Sequence, residues 1–248
     1  MILLAKKWSE SIDPRGWWVS EKLDGHRALW NGSHFISRGG NVIHAPDWFT
    51  KGFPSIPLDG EIWGGRNNFE QVAATTLGSK DLNWHSVVYA VFDAPEIKGV
   101  FEERISAVKI ALTLGTKAIL IPFHVCKGKS HLIETLHSVV KGGGEGLMLR
   151  KPRSLYERRR SDTLLKVKMF FDGEAVIIGH EEGTRKGLCG SLRVMTSDGK
   201  IFKVASGMTE DMAHKPPPIG TIITYKYELL TKEGIPRPAT FLRIRRDI

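Results

Sequence analysis

Around Lys168 this 248-residue chain changes character. Beyond that point Asp172–His180, Gly190–Val194, Lys200–Val204, Thr221–Tyr227 and Phe241–Arg245 read as five short strands separated by Gly, Pro and Asp-Gly turns. Apart from a short turn near Thr209–Ala213, no helical period interrupts them, so no amphipathic helix is at hand to cover a sheet face. Strands of that length and spacing suit a small all-β Greek-key barrel of the OB type, in which the sheet covers itself by closing. The boundary is placed at Phe170–Gly173, which gives domains of residues 1–171 and 172–248.

Upstream, strand and helix patterns are mixed. Trp17–Ser20, Arg27–Trp30 and His34–Ser37 are short apolar runs broken at Asp24-Gly25 and Asn31-Gly32, and Asn-Gly between apolar runs is a strong hairpin signal. Val87–Phe92 is continuously apolar and predicts a buried strand; Glu145–Arg150 reads as another. Phe101, Ile105, Val108 and Leu112 recur at three- and four-residue spacing, which predicts an amphipathic helix. A second helix fits Ser130–Lys141, with Ser130 as N-cap and Gly142-Gly143-Gly144 as its end. Asn68–Leu77 reads as a short helix. The first part is therefore expected to be α+β, with mostly antiparallel sheets flanked by helices.

A net charge of +9 favours a polyanionic partner, nucleic acid or an anionic membrane surface. No stretch is long and apolar enough to span a bilayer. Met1-Ile-Leu-Leu-Ala reaches Lys6-Lys7 too early for a secretory signal, so a cytoplasmic protein is expected, or a periplasmic one if the chain is the processed form of an exported precursor. Cys126 and Cys189 match no zinc or redox spacing and are expected to be unpaired thiols. Trp17, Trp18, Trp30, Trp48, Trp63 and Trp84 are too scattered for a base-stacking row, and most are read as core.

The chemistry-bearing residues begin with Ser20-Glu21-Lys22-Leu23-Asp24-Gly25-His26-Arg27. At average residue frequencies Lys-x-Asp-Gly-x-Arg arises by chance in about one chain of this length in several hundred. Downstream follow Ser37-Arg38-Gly39-Gly40, Leu58-Asp59-Gly60-Glu61, Tyr89-Ala90-Val91-Phe92-Asp93, Glu145-Gly146-Leu147-Met148-Leu149-Arg150 and Leu165-Lys166-Val167-Lys168. Lys166 and Lys168, two apart on a strand, share a face. Taken singly, Phe92 reads as core, and Glu61, Glu145 and the two lysines as solvated charge. Their order along one chain reverses that reading.

The ordered set resembles the nucleotidyltransferase motifs shared by ATP-dependent DNA ligases, RNA ligases and mRNA capping enzymes, and its wording most resembles the minimal bacterial DNA ligases called Lig E. The resemblance implies a nucleotidyltransferase (adenylation) domain followed by the OB domain. It implies Lys22 as the nucleophile that takes AMP from ATP; a lysine attacks only as the neutral amine, so its surroundings must favour loss of the proton. Arg27, Lys166 and Lys168 would neutralise phosphate oxygens in the transition state. Glu61 would hydrogen-bond the ribose and Phe92 stack on adenine. Glu145, with Glu61, would hold a divalent ion, Mg²⁺ by its preference for carboxylate and phosphate oxygens. Arg38 would engage the phosphate at the nick, and Arg243 and Arg245 would close over ATP. Where many ligases carry a Glu two residues before the nucleophile, this chain has Ser20, with Glu21 beside Lys22; both are assigned to nucleotide binding, with adenine selection resting on backbone groups. Outside the motifs, Arg158, Arg159 and Arg160 suit contacts with the DNA backbone.

The function so implied is sealing of nicks in double-stranded DNA, in repair or end joining, by a monomer whose second domain reorients about a hinge at Phe170–Gly173, where Gly173 supplies backbone freedom. A capping guanylyltransferase would use GTP and carry an aromatic-lysine-proline signature in place of Leu165-Lys166-Val167-Lys168. An RNA ligase and a non-catalytic nucleic-acid-binding protein are the other readings.

Overall fold

The computed structural model describes residues 2–77, 83–112, 114–231 and 233–245. Two compact units make up the chain, Met1–Lys168 and Met169–Ile248. The last residues of the arginine-rich C-terminal run, 246–248, lie outside the described residues.

In chain order the first unit contains β1 (Leu4–Lys7), β2 (Trp18–Lys22), β3 (His26–Trp30), β4 (Phe35–Ser37), β5 (Val42–Ile43), α1 (Asp47–Thr50), β6 (Leu58–Trp63), α2 (Phe69–Leu77), a 3₁₀ turn at Trp84–Ser86, β7 (Val88–Asp93), α3 (Phe101–Ala111), β8 (Ala118–Leu120), β9 (His124–Val125), α4 (Lys129–Lys141), β10 (Gly146–Arg150) and β11 (Arg160–Val167). They form a five-stranded sheet ordered β1-β11-β10-β2-β9 and a six-stranded sheet ordered β5-β4-β3-β6-β7-β8. Both sheets are mixed: β1 pairs with β11, and β7 with β8, in parallel. A parallel pair needs a crossover, and α3 supplies it between β7 and β8. The core of the six-stranded sheet gathers Trp30, Phe35, Phe49, Trp84 and Tyr89, with the Tyr89 hydroxyl donating to the carbonyls of Leu58 and Ala28. Two expectations change. Helix α4 starts at Lys129 with Gly128 as its cap, at φ 134°, a conformation closed to Ser, and no side-chain cap bond forms. Of the six tryptophans read as mostly core, Trp30 and Trp84 are buried in it, Trp17, Trp18 and Trp63 are half-buried, and Trp48 is exposed and stacks flat on His85.

The second unit contains β12 (Phe171–Glu182), β13 (Cys189–Met195), β14 (Ile201–Val204), α5 (Glu210–His214), β15 (Ile222–Tyr227), β16 (Leu229–Leu230), β17 (Pro236–Arg237) and β18 (Thr240–Ile244). The five strands legible in the sequence form one antiparallel sheet, β14-β13-β12-β15-β18, over a core of Ile177, Leu192, Val194, Val204, Ile223 and Tyr225. This unit is neither all-β nor a closed barrel among the described residues. Helix α5 is capped by Thr209, whose Oγ1 accepts from the Met212 amide at 3.3 Å. The edge strands approach each other only at one bridge, Ser206 with Thr240. Gly207 follows at φ 84°, packed so closely on β18 that a Cβ there would lie 2.4 Å from the Phe241 carbonyl. Nor is Gly173 a hinge. It sits inside β12 paired with Tyr225, and a Cβ there would lie 2.5 Å from the Tyr225 hydroxyl. Its glycine serves close packing, and only residues 168–170 lie between the paired strands β11 and β12.

Candidate active site

Pairing registers explain how distant motifs meet. In the five-stranded sheet Lys22, Ser20 and Trp18 of β2 stand opposite Gly146, Met148 and Arg150 of β10, which stands Met148 and Arg150 opposite Lys166 and Leu164 of β11. Directly opposed residues share a face, so Ser20, Lys22, Met148, Arg150 and Lys166 project together, and strand alternation adds Lys168. The opposite face carries Val19, Leu147, Leu149, Leu165 and Val167, all buried. In the six-stranded sheet Arg27 stands opposite Glu61. The two faces enclose a cavity of about 520 Å³ lined by, among others, Ser20, Lys22, Arg27, Arg38, Glu61, Phe92, Met148, Lys166 and Lys168.

Two of the lining lysines, Lys22 and Lys168, share one carboxylate, that of Glu145. Lys22 Nζ donates to Glu145 Oε2 at 2.5 Å, and Lys168 Nζ lies 2.7 Å from Oε1. The carboxylate is 8% exposed, so these charge-assisted contacts are largely shielded from water. Glu145 is presented by Gly146 at φ 152°, where a Cβ would lie 2.4 Å from the Val167 carbonyl. Gly25 of the Asp-Gly turn is equally constrained, since its Cβ would meet the Ile62 carbonyl at 2.4 Å and Glu61 Cγ at 2.8 Å. Burial pushes the Glu61 carboxyl up to about 7, against the opposing pull of Lys22 and Arg27, with Glu145 adding repulsion. Arg27 lies over the Phe92 ring at 5.1 Å from its centroid and grips buried Asp59 with two bonds, Nε to Oδ1 at 3.0 Å and Nη2 to Oδ2 at 2.6 Å.

The remaining expected residues are placed differently. Glu21 borders the cavity, yet its carboxylate is held by a two-bond pair with Arg66, both at 2.8 Å. Arg160 lines the cavity and donates to the Ala5 carbonyl at 2.5 Å, whereas Arg158 pairs with Glu96 and Arg159 with Glu157. All three residues are exposed, each with its own local partner. Arg243 and Arg245 belong to the second unit, and Arg245 pairs with Glu174.

Reading the sequence missed a buried ionic cluster that adjoins the cavity through Arg150. Asp93, 0% exposed, accepts from Arg104 Nε at 2.7 Å, Arg104 Nη2 at 3.0 Å and Arg150 Nη2. Arg104 was detectable: it falls on the apolar stripe of α3, three residues after Phe101 and four before Val108. Among the described residues no three His, Cys, Asp or Glu side chains converge on a metal-like centre.

A DNA ligase of Haemophilus influenzae is 38% identical over 232 residues, spanning 92% of this chain and 86% of its own length. The chain belongs to the DNA ligase family. The DNA ligase OB-like domain family matches residues 182–245. A solved structure from a structure–function study of Lig E DNA ligases superposes on this ligase with a TM-score of 0.93 at 37% identity, covering 98% of each chain. The Chlorella virus DNA ligase-adenylate, at 24% identity and a TM-score of 0.60, covers 100% of this chain and 98% of its own and shares the fold. No helix among the described residues is long and apolar enough to cross a membrane.

Proposed function

We propose that this ligase seals 5′-phosphate/3′-hydroxyl nicks in duplex DNA with ATP, using Lys22 as the nucleophile. The observation that carries this is the junction of Lys22, Glu145 and Lys168, whose two lysines line a basic cavity. Lys22 Nζ attacks the α-phosphorus of ATP as Glu145 Oε2, already in hydrogen-bond contact, takes its proton; the bond to pyrophosphate breaks and a phosphoramide forms. The 5′-phosphate at the nick then attacks that phosphorus, and the lysine leaves. Finally the 3′-hydroxyl attacks the activated 5′-phosphorus and expels AMP.

Arg27, Lys166 and Lys168 are fixed cations facing the cavity, suited to charge that builds on phosphate oxygens. Phe92 is assigned the adenine face, Glu61 the ribose and Arg38 the nick phosphate. Ser20 flanks the base. Any part Glu21 takes falls to its backbone, since Arg66 occupies its carboxylate. Arg243 and Arg245 are assigned to ATP closure, and Arg158, Arg159 and Arg160 to the DNA backbone. Two carboxylates, Glu61 and Glu145, beside one phosphate site fit Mg²⁺, which is commonly held by one or two carboxylates with substrate phosphates completing its shell. When bound, it would neutralise phosphate charge.

Incubation with α-labelled ATP should leave an acid-stable label on the wild type and none on Lys22→Ala, and only the wild type should seal a nicked duplex. Labelling by GTP alone would favour the capping reading. Sealing by Lys22→Ala would refute the mechanism.

A further inference from the structure

Tyr156 lies outside every motif, in the segment between β10 and β11, yet it reaches the hydrogen bonds that hold Arg27. Its hydroxyl donates to Asp59 Oδ2 at 2.6 Å and accepts from the Leu3 amide at 3.2 Å. Arg27 Nη2 donates to the same Asp59 Oδ2 at 2.6 Å and to the Leu3 carbonyl at 2.9 Å. Tyr156, Asp59, Arg27 and the Leu3 backbone therefore close a ring of four hydrogen bonds. Asp59 is 1% exposed and Leu3 0%, so water does not compete for these groups. Burial, then the Asp59 charge, holds the Tyr156 phenol well above its usual range, so it stays a donor. On the cavity side of the ring the Arg27 guanidinium lies over Phe92.

We propose that Tyr156 is a positioning residue that fixes the Arg27 guanidinium in the nucleotide cavity, acting through Asp59 and the Leu3 backbone. Without its hydroxyl, Asp59 Oδ2 loses a neutral donor and the Leu3 amide loses its acceptor. Both edges that orient Arg27 then loosen, while the guanidinium keeps its charge and its place in the sequence. A rotated guanidinium still attracts ATP, but meets the transferring phosphoryl group less well. The inference rests on the proposed transfer of AMP to Lys22.

The test is single-turnover labelling by α-labelled ATP of the full chain, comparing wild type, Tyr156→Phe, Arg27→Met and the double variant. Tyr156→Phe should lower the labelling rate about tenfold, the worth of an oriented charge-assisted contact, with the KM for ATP moving less than about threefold. In the Arg27→Met background the same change should alter the rate less than about twofold, because no guanidinium remains to position. Asp59→Asn, a second variant against loss of folding in Tyr156→Phe, should show a comparable defect that also vanishes beside Arg27→Met. If Arg27→Met slows labelling but the losses from Tyr156 and Asp59 multiply with it, this inference falls while the proposed function stands. If ATP fails to label the wild type, both fall.

Discussion

Replacing Asp93 by Asn keeps the side-chain shape and withdraws one charge from a place water does not reach. Two guanidiniums depend on that carboxylate: Arg104, 0% exposed, with two bonds, and Arg150 with one. Breaking a buried ion pair by removing one partner costs about 3–5 kcal/mol, because a charge is left desolvated and uncompensated. Arg150 already carries a buried Nη1 with no hydrogen-bond partner, so the cluster has little spare solvation for a second loss. Against a typical folding stability of about 5–15 kcal/mol this is a large fraction. At about 2–4 °C per kcal/mol, the midpoint of the first unit should fall by roughly 6–20 °C. The assay is built into the sequence, since all seven tryptophans precede Lys168 and intrinsic fluorescence reports the first unit alone. Exchanging Asp93, Arg104 and Arg150 together for apolar residues of similar volume should recover much of the loss. A drop below about 2 °C in Asp93→Asn would mean that the cluster is solvated, and the reasoning would fail.

Glu145→Gln withdraws the negative charge shared by both lysines, turns one of its two acceptors into a donor and removes the proton acceptor; labelling of Lys22 should fall about a hundredfold or more, while filter binding of unreacted ATP persists. Burial lowers His26 from 6.5, and its Nδ1 lies 2.5 Å from Thr76 Oγ1, which itself donates to the Val72 carbonyl. Below 6.5 the unfolded chain therefore takes up a proton that the folded chain resists, and stability falls with pH. Urea midpoints between about pH 7.5 and about pH 5.5 should drop further for wild type than for His26→Gln. Gly173→Ala puts a methyl group against the buried Tyr225 ring and should destabilise the second unit by about 1–3 kcal/mol, seen as faster amide exchange in β12 and β15 with tryptophan fluorescence unchanged.

What could be read from the sequence was local. Asp24-Gly25 and Asn31-Gly32 announced breaks between strands, although of the two glycines only Gly32 takes a positive φ while Gly25 is held by lack of room against Ile62, and the alternation of Lys166 and Lys168 gave their shared face. The ring around Arg27 could not be read, since Leu3, Asp59 and Tyr156 lie far apart and none looks unusual where it stands. Parallel pairing of β1 with β11 was hidden for the same reason. Arg104 was visible but drew no reading, because a charge on a helix is ordinarily solvated, and only the position of Asp93 reveals that this one is not. Gly173 was read as freedom when its neighbour Tyr225 makes it a matter of room.

The side-by-side register of β2, β10 and β11 carries a rule of parity. Because side chains alternate, one residue added or lost inside any of these strands would turn the rest of its motif to the far side of the sheet, among Val19, Leu149 and Leu165. The connections between them obey no such arithmetic. Relatives of this ligase can therefore lengthen the stretch from β2 to β10 by any number of residues, while the count from Ser20 to Lys22, from Gly146 to Arg150 and from Leu164 to Lys168 must stay as it is.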